Sequence, residues 1–413
     1  MRDLPSPIAV LFRRLGPYHG ARLQAVAARM DKAIAAIETS NIDSTYAWSA
    51  LGPAQGFHCH TLFRGRVETP APRNLWDALH AVLERLQPRV VAIPGWSDPL
   101  ALGGLSWARR NRIPVILMSD SRADDKHKPH YWWKESVKAA VVRLADAALV
   151  AGESHASYLA ALGMPPASIL TGYDVVDNAH FAEGAKLARL KAAQWRRLLG
   201  LPERYFLTAS RLVIRKGLPN LIRTYASYRQ HEGADAWGLV LMGDGPLREE
   251  LHALSVRLDV QQWVKFVGFQ QYDKLPVFYG LASAFMNPSE SDTWGLVVNE
   301  AMAAGLPVLV SRACGCSQEL VLHGQNGWTF SPEDEIELAG LMSRISRLSE
   351  DERQRLSEAG QRRIADLSPA HFAEQFERAV CRAQAVIRRP RGYEQPLLWT
   401  LARCSGFRWT SER

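Results

Sequence analysis

Apolar residues along this chain fall into short continuous runs separated by stretches of helical spacing. Runs at residues 8–12 (Ile-Ala-Val-Leu-Phe), 90–93, 114–118 and 147–150 each end in a polar loop. Such runs, with no polar alternation, fit strands covered on both faces, as a parallel sheet requires. Between them, residues 21–38, 75–86, 100–110, 135–145 and 154–162 have helical spacing. The alternation predicts a parallel sheet whose ligands gather beyond the carboxyl ends of its strands. After a strand-like exit at 172–181 and a charged helical stretch at 183–199 the pattern restarts. Strands are predicted to begin at 205, 239, 264, 281 and 307, and a last long helix to cover 369–387.

The fold class is therefore α/β, with two Rossmann-like doubly wound domains. At 413 residues the chain exceeds the roughly 250–300 that one core organises. The predicted division is 1–178, 179–387 and a basic, aromatic tail at 388–413. A hydrophobic fraction of 47% is ample for two cores. No apolar run reaches the ~18 residues of a membrane span, and Met1-Arg-Asp-Leu-Pro-Ser-Pro7 is not of signal-peptide type, so a cytoplasmic location is expected. The five cysteines (Cys59, Cys314, Cys316, Cys381, Cys404) are odd in number and scattered, which favours reduced thiols. Cys314-Gly-Cys316 is too tight, and too isolated, for a zinc site.

Charge adds a partition. Residues 1–178 carry 20 basic and 16 acidic side chains, 179–387 carry 24 of each, and 388–413 carry 6 and 2. The basic excess thus lies in the first domain and the tail. No base-reading motif accompanies it, so nucleic acid is not an expected partner. An anionic membrane surface or an acidic acceptor suits it better, as does a plain solvated surface.

The richest stretch is Asn287-Pro-Ser-Glu-Ser-Asp292-Thr-Trp-Gly295-Leu-Val-Val-Asn-Glu300, a turn-rich loop leading into a helix that Gly305 and Pro307 close. A loop carboxylate and a second one in the helix would flank the backbone N–H groups of the helix start, a setting for hydroxyls and phosphate together. Upstream, Arg211-Leu-Val-Ile-Arg-Lys216-Gly217 puts two cations on the loop after a strand. Two further strands end at Gly243-Asp-Gly-Pro246 and at Val267-Gly268.

Taken in order from about residue 205 to 330, including Gly324-Gln-Asn-Gly327, these pieces resemble the retaining glycosyltransferases of family 4, which have the GT-B fold of two domains facing a central cleft, with a last helix, here 369–387, expected to cross back onto the first domain. The family signature has two acidic residues separated by seven, the spacing of Asp292 and Glu300. The family usually has Glu at the first position; Asp292 is one methylene shorter, and Glu290 is its rival. By that resemblance Arg211 and Lys216 hold the departing diphosphate, Glu300 the ribose and Asp292 the donor sugar. Gly16, Gly217, Gly243, Val267, Trp294, Gly295 and Leu296 line the donor, with Val267 against the base and backbone N–H groups from 294–296 assisting. Structural alternatives stay open: Asp292 could cap the helix, and Gly16 could be a plain turn glycine.

On the acceptor side, His19, Trp96, Asp98, Asp120 and Asp124 sit on strand-end loops, with His19 and Asp120 the preferred contacts. No protein nucleophile is evident, so the resemblance implies front-face attack with the leaving phosphate taking the acceptor's proton. No metal or other cofactor is expected, because the cationic pair neutralises the diphosphate. The partners implied are a nucleotide-sugar donor and a glycan or lipid-linked acceptor, in cell-surface polysaccharide or glycolipid synthesis. Residues 126–143 and the tail intersperse aromatics with cations in a way that suits peripheral attachment to a membrane or packing onto the first domain. A nucleotide-sugar epimerase and a silent binding module are the alternatives. An epimerase would convert the donor without any acceptor.

Overall fold

The structure is a computed structural model and describes residues 7–30, 34–42, 48, 56–65, 70–123, 132–386 and 392–404. The described chain forms two compact units: residues up to 175 together with 369–404 in the first, and 176–368 in the second.

The first unit is built on a seven-stranded sheet of order β3-β2-β1-β4-β5-β6-β7, parallel throughout. Its strands are β1 (Ile8–Phe12), β2 (Ile34–Ser40), β3 (His58–Phe63), β4 (Val90–Pro94), β5 (Val115–Ser119), β6 (Ala147–Val150) and β7 (Ile169–Thr171). Every residue of β1, β2, β5 and β6 is buried, which explains the unbroken apolar composition of β1 and β6 and the apolar runs that open β2 and β5. The second unit has a six-stranded parallel sheet of order β10-β9-β8-β11-β12-β13. These strands are β8 (Tyr205–Ala209), β9 (Gly238–Met242), β10 (Val264–Gly268), β11 (Ala284–Asn287), β12 (Val308–Ser311) and β13 (Gly327–Phe330).

Three expectations are corrected. The helical spacing read across 21–38 breaks at residue 30: the helix is Pro17–Arg29, and Ile34–Ser40 is β2, paired with β1. The run Ala33-Ile-Ala-Ala-Ile37 satisfies both templates over so short a span, and burial on both faces decides for strand. The stretch 183–199 is two helices, Asn178–Leu190 and Ala192–Leu199, separated at Lys191.

The tail is not a segment apart. The helix Pro369–Gln384 packs on Pro17–Arg29, and the helix Glu394–Cys404 packs on Pro99–Asn111, so the chain returns to the first unit at Pro369. Leu398 and Ala402 are fully buried in that unit's core, and the Trp399 ring meets Trp76 edge-on at 5.0 Å. Arg109 forks onto Glu394, Nε to Oε2 at 3.1 Å and the guanidinium to Oε1 at 2.9 Å, with both residues buried. Gln395 accepts from Ser106 Oγ at 2.6 Å and donates to the Ser106 carbonyl at 3.0 Å. Phe407 and Trp409 lie outside the described residues, as do Lys126 to Tyr131 of the other basic aromatic stretch. Beyond them, Trp132 is 82% exposed and Trp133 45%. No described helix is long and apolar enough to cross a membrane.

Candidate active site

Backbone contacts lock the loops at the carboxyl ends of β8, β9 and β11 together, and glycines make those contacts possible. A Cβ on Gly243 would stand 1.9 Å from the Ser210 carbonyl oxygen, and one on Gly217 would stand 2.2 Å from that of Pro288. Both residues also have positive φ, 136° and 65°, which side chains disfavour. The backbone N–H groups of Glu290 and Ser291 both donate to the Arg215 carbonyl, at 2.9 and 3.3 Å, and Leu212 N–H donates to the Asp244 carbonyl at 2.9 Å. The loop after β12 joins them: Gly315 N–H donates to the Asp292 carbonyl and Cys316 N–H to the Trp294 carbonyl, each at 3.0 Å.

On this frame Lys216 and Asp292, 76 positions apart, form an ion pair with Nζ to Oδ2 at 2.6 Å. Their side chains are only 13% and 12% exposed. Gly295, at φ 101°, is the N-cap of the helix Leu296–Ala303 and has no side chain of its own to cap it, while the Asp292 carboxylate meets Lys216. Glu300 is 1% exposed, and the Tyr279 hydroxyl donates to its Oε2 at 2.5 Å. Glu290 is more loosely held, its Oε1 3.5 Å from Asn220 Nδ2.

The other donor-side residues fall in place around this pair. Arg211 is partly buried on the loop after β8. Val267 lies in β10, where its carbonyl accepts from Gln270 Nε2 at 2.7 Å. Trp294 is buried and donates through Nε1 to Asn299 Oδ1 at 3.0 Å, so its ring serves the packing of the loop; Leu296 begins the helix. Tyr279 and Asn299 carried no signal in the sequence, since neither belongs to a spaced pattern.

Gly16, His19 and Asp120 belong to the first unit. His19 lies in the first turn of the helix after β1 and Asp120 follows β5, two strands away in the sheet order. Gly16 is the N-cap of that helix with φ −111°, an ordinary extended conformation, and its N–H donates to His19 Nδ1 at 3.1 Å. The ring packs 4.5 Å from Phe12. Burial, and then the nearby Arg22 cation, push the His19 pKa down to about 3. The ring is therefore neutral near pH 7, with Nδ1 as acceptor and the proton on Nε2. Asp98 caps the helix Pro99–Asn111 through Leu100 N–H at 2.8 Å, and burial raises its pKa. Asp124 is outside the described residues.

The His19 environment predicts a pH effect. Below pH 6.5 the unfolded chain takes up a proton that the folded ring refuses down to about 3, so the stability contributed above 6.5 is lost as pH falls through that window. Comparing pH 7 with pH 5, wild type should lose about 2 kcal/mol more than His19→Gln. Urea unfolding at the two pH values measures this, and identical losses in both proteins would refute it.

All five cysteines are free thiols, with Cys314 and Cys316 buried. Among the described residues no three His, Cys, Asp or Glu side chains are grouped as a metal site would need.

Residues 192–363 match the family description "Glycosyl transferases group 1". The chain is 34% identical over 153 residues to an uncharacterized glycosyltransferase of Methanocaldococcus jannaschii, which is 37% of this chain and 38% of that protein. It is 35% identical over 125 residues to a GDP-mannose-dependent alpha-(1-6)-phosphatidylinositol monomannoside mannosyltransferase of Mycobacterium tuberculosis, 29% of this chain and 32% of that one. The similarity thus spans well under half of each relative. Among solved structures, Anabaena HepE in complex with UDP-glucose superposes with a TM-score of 0.70 at 18% identity, covering 91% of this chain and 99% of that one. The likeness extends over both units and shows the fold to be of the GT-B class.

Proposed function

We propose, for a chain whose residues 192–363 belong to glycosyl transferases group 1, that it is a retaining glycosyltransferase of the family 4 type using a nucleoside diphosphate sugar. One observation carries the reading: the Lys216–Asp292 ion pair, held beside the glycine-led start of the helix Leu296–Ala303, with buried Glu300 on that same helix. As the bond from the sugar's anomeric carbon to the phosphate oxygen breaks, negative charge grows on the diphosphate. Lys216, Arg211 and the backbone N–H groups of the glycine-led turn supply fixed positive potential there. The acceptor hydroxyl attacks from the face the diphosphate leaves, and its proton passes to the departing phosphate oxygen. Glu300 takes ribose hydroxyls and Asp292 the sugar, while His19 and Asp120 are the acceptor-side contacts. No metal is invoked, because the two cations answer the charge.

The similar proteins include both a UDP-glucose complex and a GDP-mannose-dependent enzyme, which supports a nucleoside diphosphate donor and leaves its base open. The mannosyltransferase acts on a phosphatidylinositol mannoside, which supports a glycolipid or cell-surface glycan as the acceptor class.

Two substitutions test the division of labour. Glu300→Gln should weaken binding of free UDP or GDP, whichever the wild type takes, by about 1–3 kcal/mol. Asp292→Asn should leave that affinity nearly unchanged and lower turnover of the nucleotide sugar. Titration calorimetry with the free nucleotides and a transfer assay read the two effects. Equal weakening of the free nucleotide in both variants would show that the roles are assigned wrongly.

A further inference from the structure

At the end of β11, Asn287 is 3% exposed. Its Oδ1 is occupied, accepting from Ser289 Oγ at 2.7 Å and Ser289 N–H at 3.3 Å. Its Nδ2 is buried and donates to nothing. A buried donor left unmade costs about 1–3 kcal/mol, so a fold that retains one calls for an explanation. The surroundings offer it. A Cβ on Gly295 would stand 3.1 Å from Asn287 Nδ2, 3.4 Å from Cys316 Sγ and 3.7 Å from Asp292 Oδ2. An amide donor and a carboxylate acceptor therefore both face the bare flank of one glycine, with a buried thiol as the apolar wall. The carboxylate is the one that Lys216 holds, and its side chain is 12% exposed.

A hydroxyl is the group this arrangement fits. It accepts one hydrogen bond and donates another, so Nδ2–H can donate to its oxygen while its own proton goes to Asp292. A phosphate oxygen or a carboxylate would meet Asp292 with like charge, and a methyl group would leave the amide unmade. We propose that Asn287 is a specificity-determining residue, its buried amide and Asp292 together gripping one hydroxyl of the donor sugar over the face of Gly295. This rests on the donor-site reading above and extends it to a residue outside the acidic pair.

The test uses the full chain with Asn287→Asp and Asn287→Leu. Asn287→Asp keeps an oxygen for Ser289 and removes the N–H; Asn287→Leu removes both and guards against an effect of the added charge. Free UDP and GDP are titrated first, and both variants should match the wild type within about twofold. Then kcat/KM is measured for UDP-glucose and GDP-mannose and for their monodeoxy analogues. The wild type should disfavour one analogue by about 10–10²-fold relative to the parent sugar. Each variant should lose a similar factor on the parent and treat that analogue and the parent alike. Variants that keep the wild type's full discrimination against every deoxy analogue overturn the proposal, whatever their absolute rates. A wild type that binds neither UDP nor GDP instead removes the donor-site reading, and this inference with it.

Discussion

Lys216→Ala is expected to slow sugar transfer by about 10²–10³-fold, the loss typical of removing one fixed stabiliser of developing transition-state charge. Arg211→Ala should lose a comparable factor. The two differ in a way the structure makes visible. Removing Lys216 also strips Asp292 of its 2.6 Å partner and frees that carboxylate to repel the incoming diphosphate. Raised salt, which screens such repulsion, should therefore recover part of the Lys216→Ala defect and less of the Arg211→Ala defect. Steady-state rates at low and moderate ionic strength decide this, with circular dichroism as the check on folding. Wild-type turnover in folded Lys216→Ala would end the phosphate assignment.

The second large effect lies in the other unit. Arg109→Leu should destabilise the first unit by about 3–5 kcal/mol, because it leaves the buried Glu394 carboxylate without its guanidinium. The double variant Arg109→Leu, Glu394→Leu should recover most of that loss, since two apolar groups replace two charges that burial made costly. Denaturant unfolding of the three proteins measures the cycle. A single variant within about 1 kcal/mol of wild type would mean that the helix Glu394–Cys404 is held only by its apolar face.

How far the sequence was readable follows from the range of the forces involved. The buried strands β1, β4, β5 and β6 were legible because a strand covered on both faces is apolar along most of its length. The edge strand β3, His58–Phe63, is largely polar and partly exposed, and left no such run. Ile34–Ser40 misled because alanine and isoleucine serve helix and strand equally over five residues. In the second unit, the glycines and the spacing of Asp292 and Glu300 were local and could be read directly. The partners were not. Lys216 meets Asp292 across 76 positions, Tyr279 reaches Glu300 from another helix, and the idle amide of Asn287 is defined only by what surrounds it. The tail shows the same limit: its arginines and aromatics suit a membrane surface in composition, and only the packing of Leu398, Ala402 and Trp399 reveals the neighbours they have.

The return of the chain to the first unit at Pro369 has a consequence for how the protein is made. Among the described residues the second unit is one uninterrupted segment, 176–368, which has left the ribosome once that segment is out. The first unit, although its opening strand precedes that segment, lacks two of its helices until residues 369–404 have followed it. Its nascent sheet must wait with the surface beneath Leu398 and Ala402 uncovered, while the later-encoded half is already able to close. Premature stops after 368 would therefore spare the nucleotide-type unit and strand the half that is translated first.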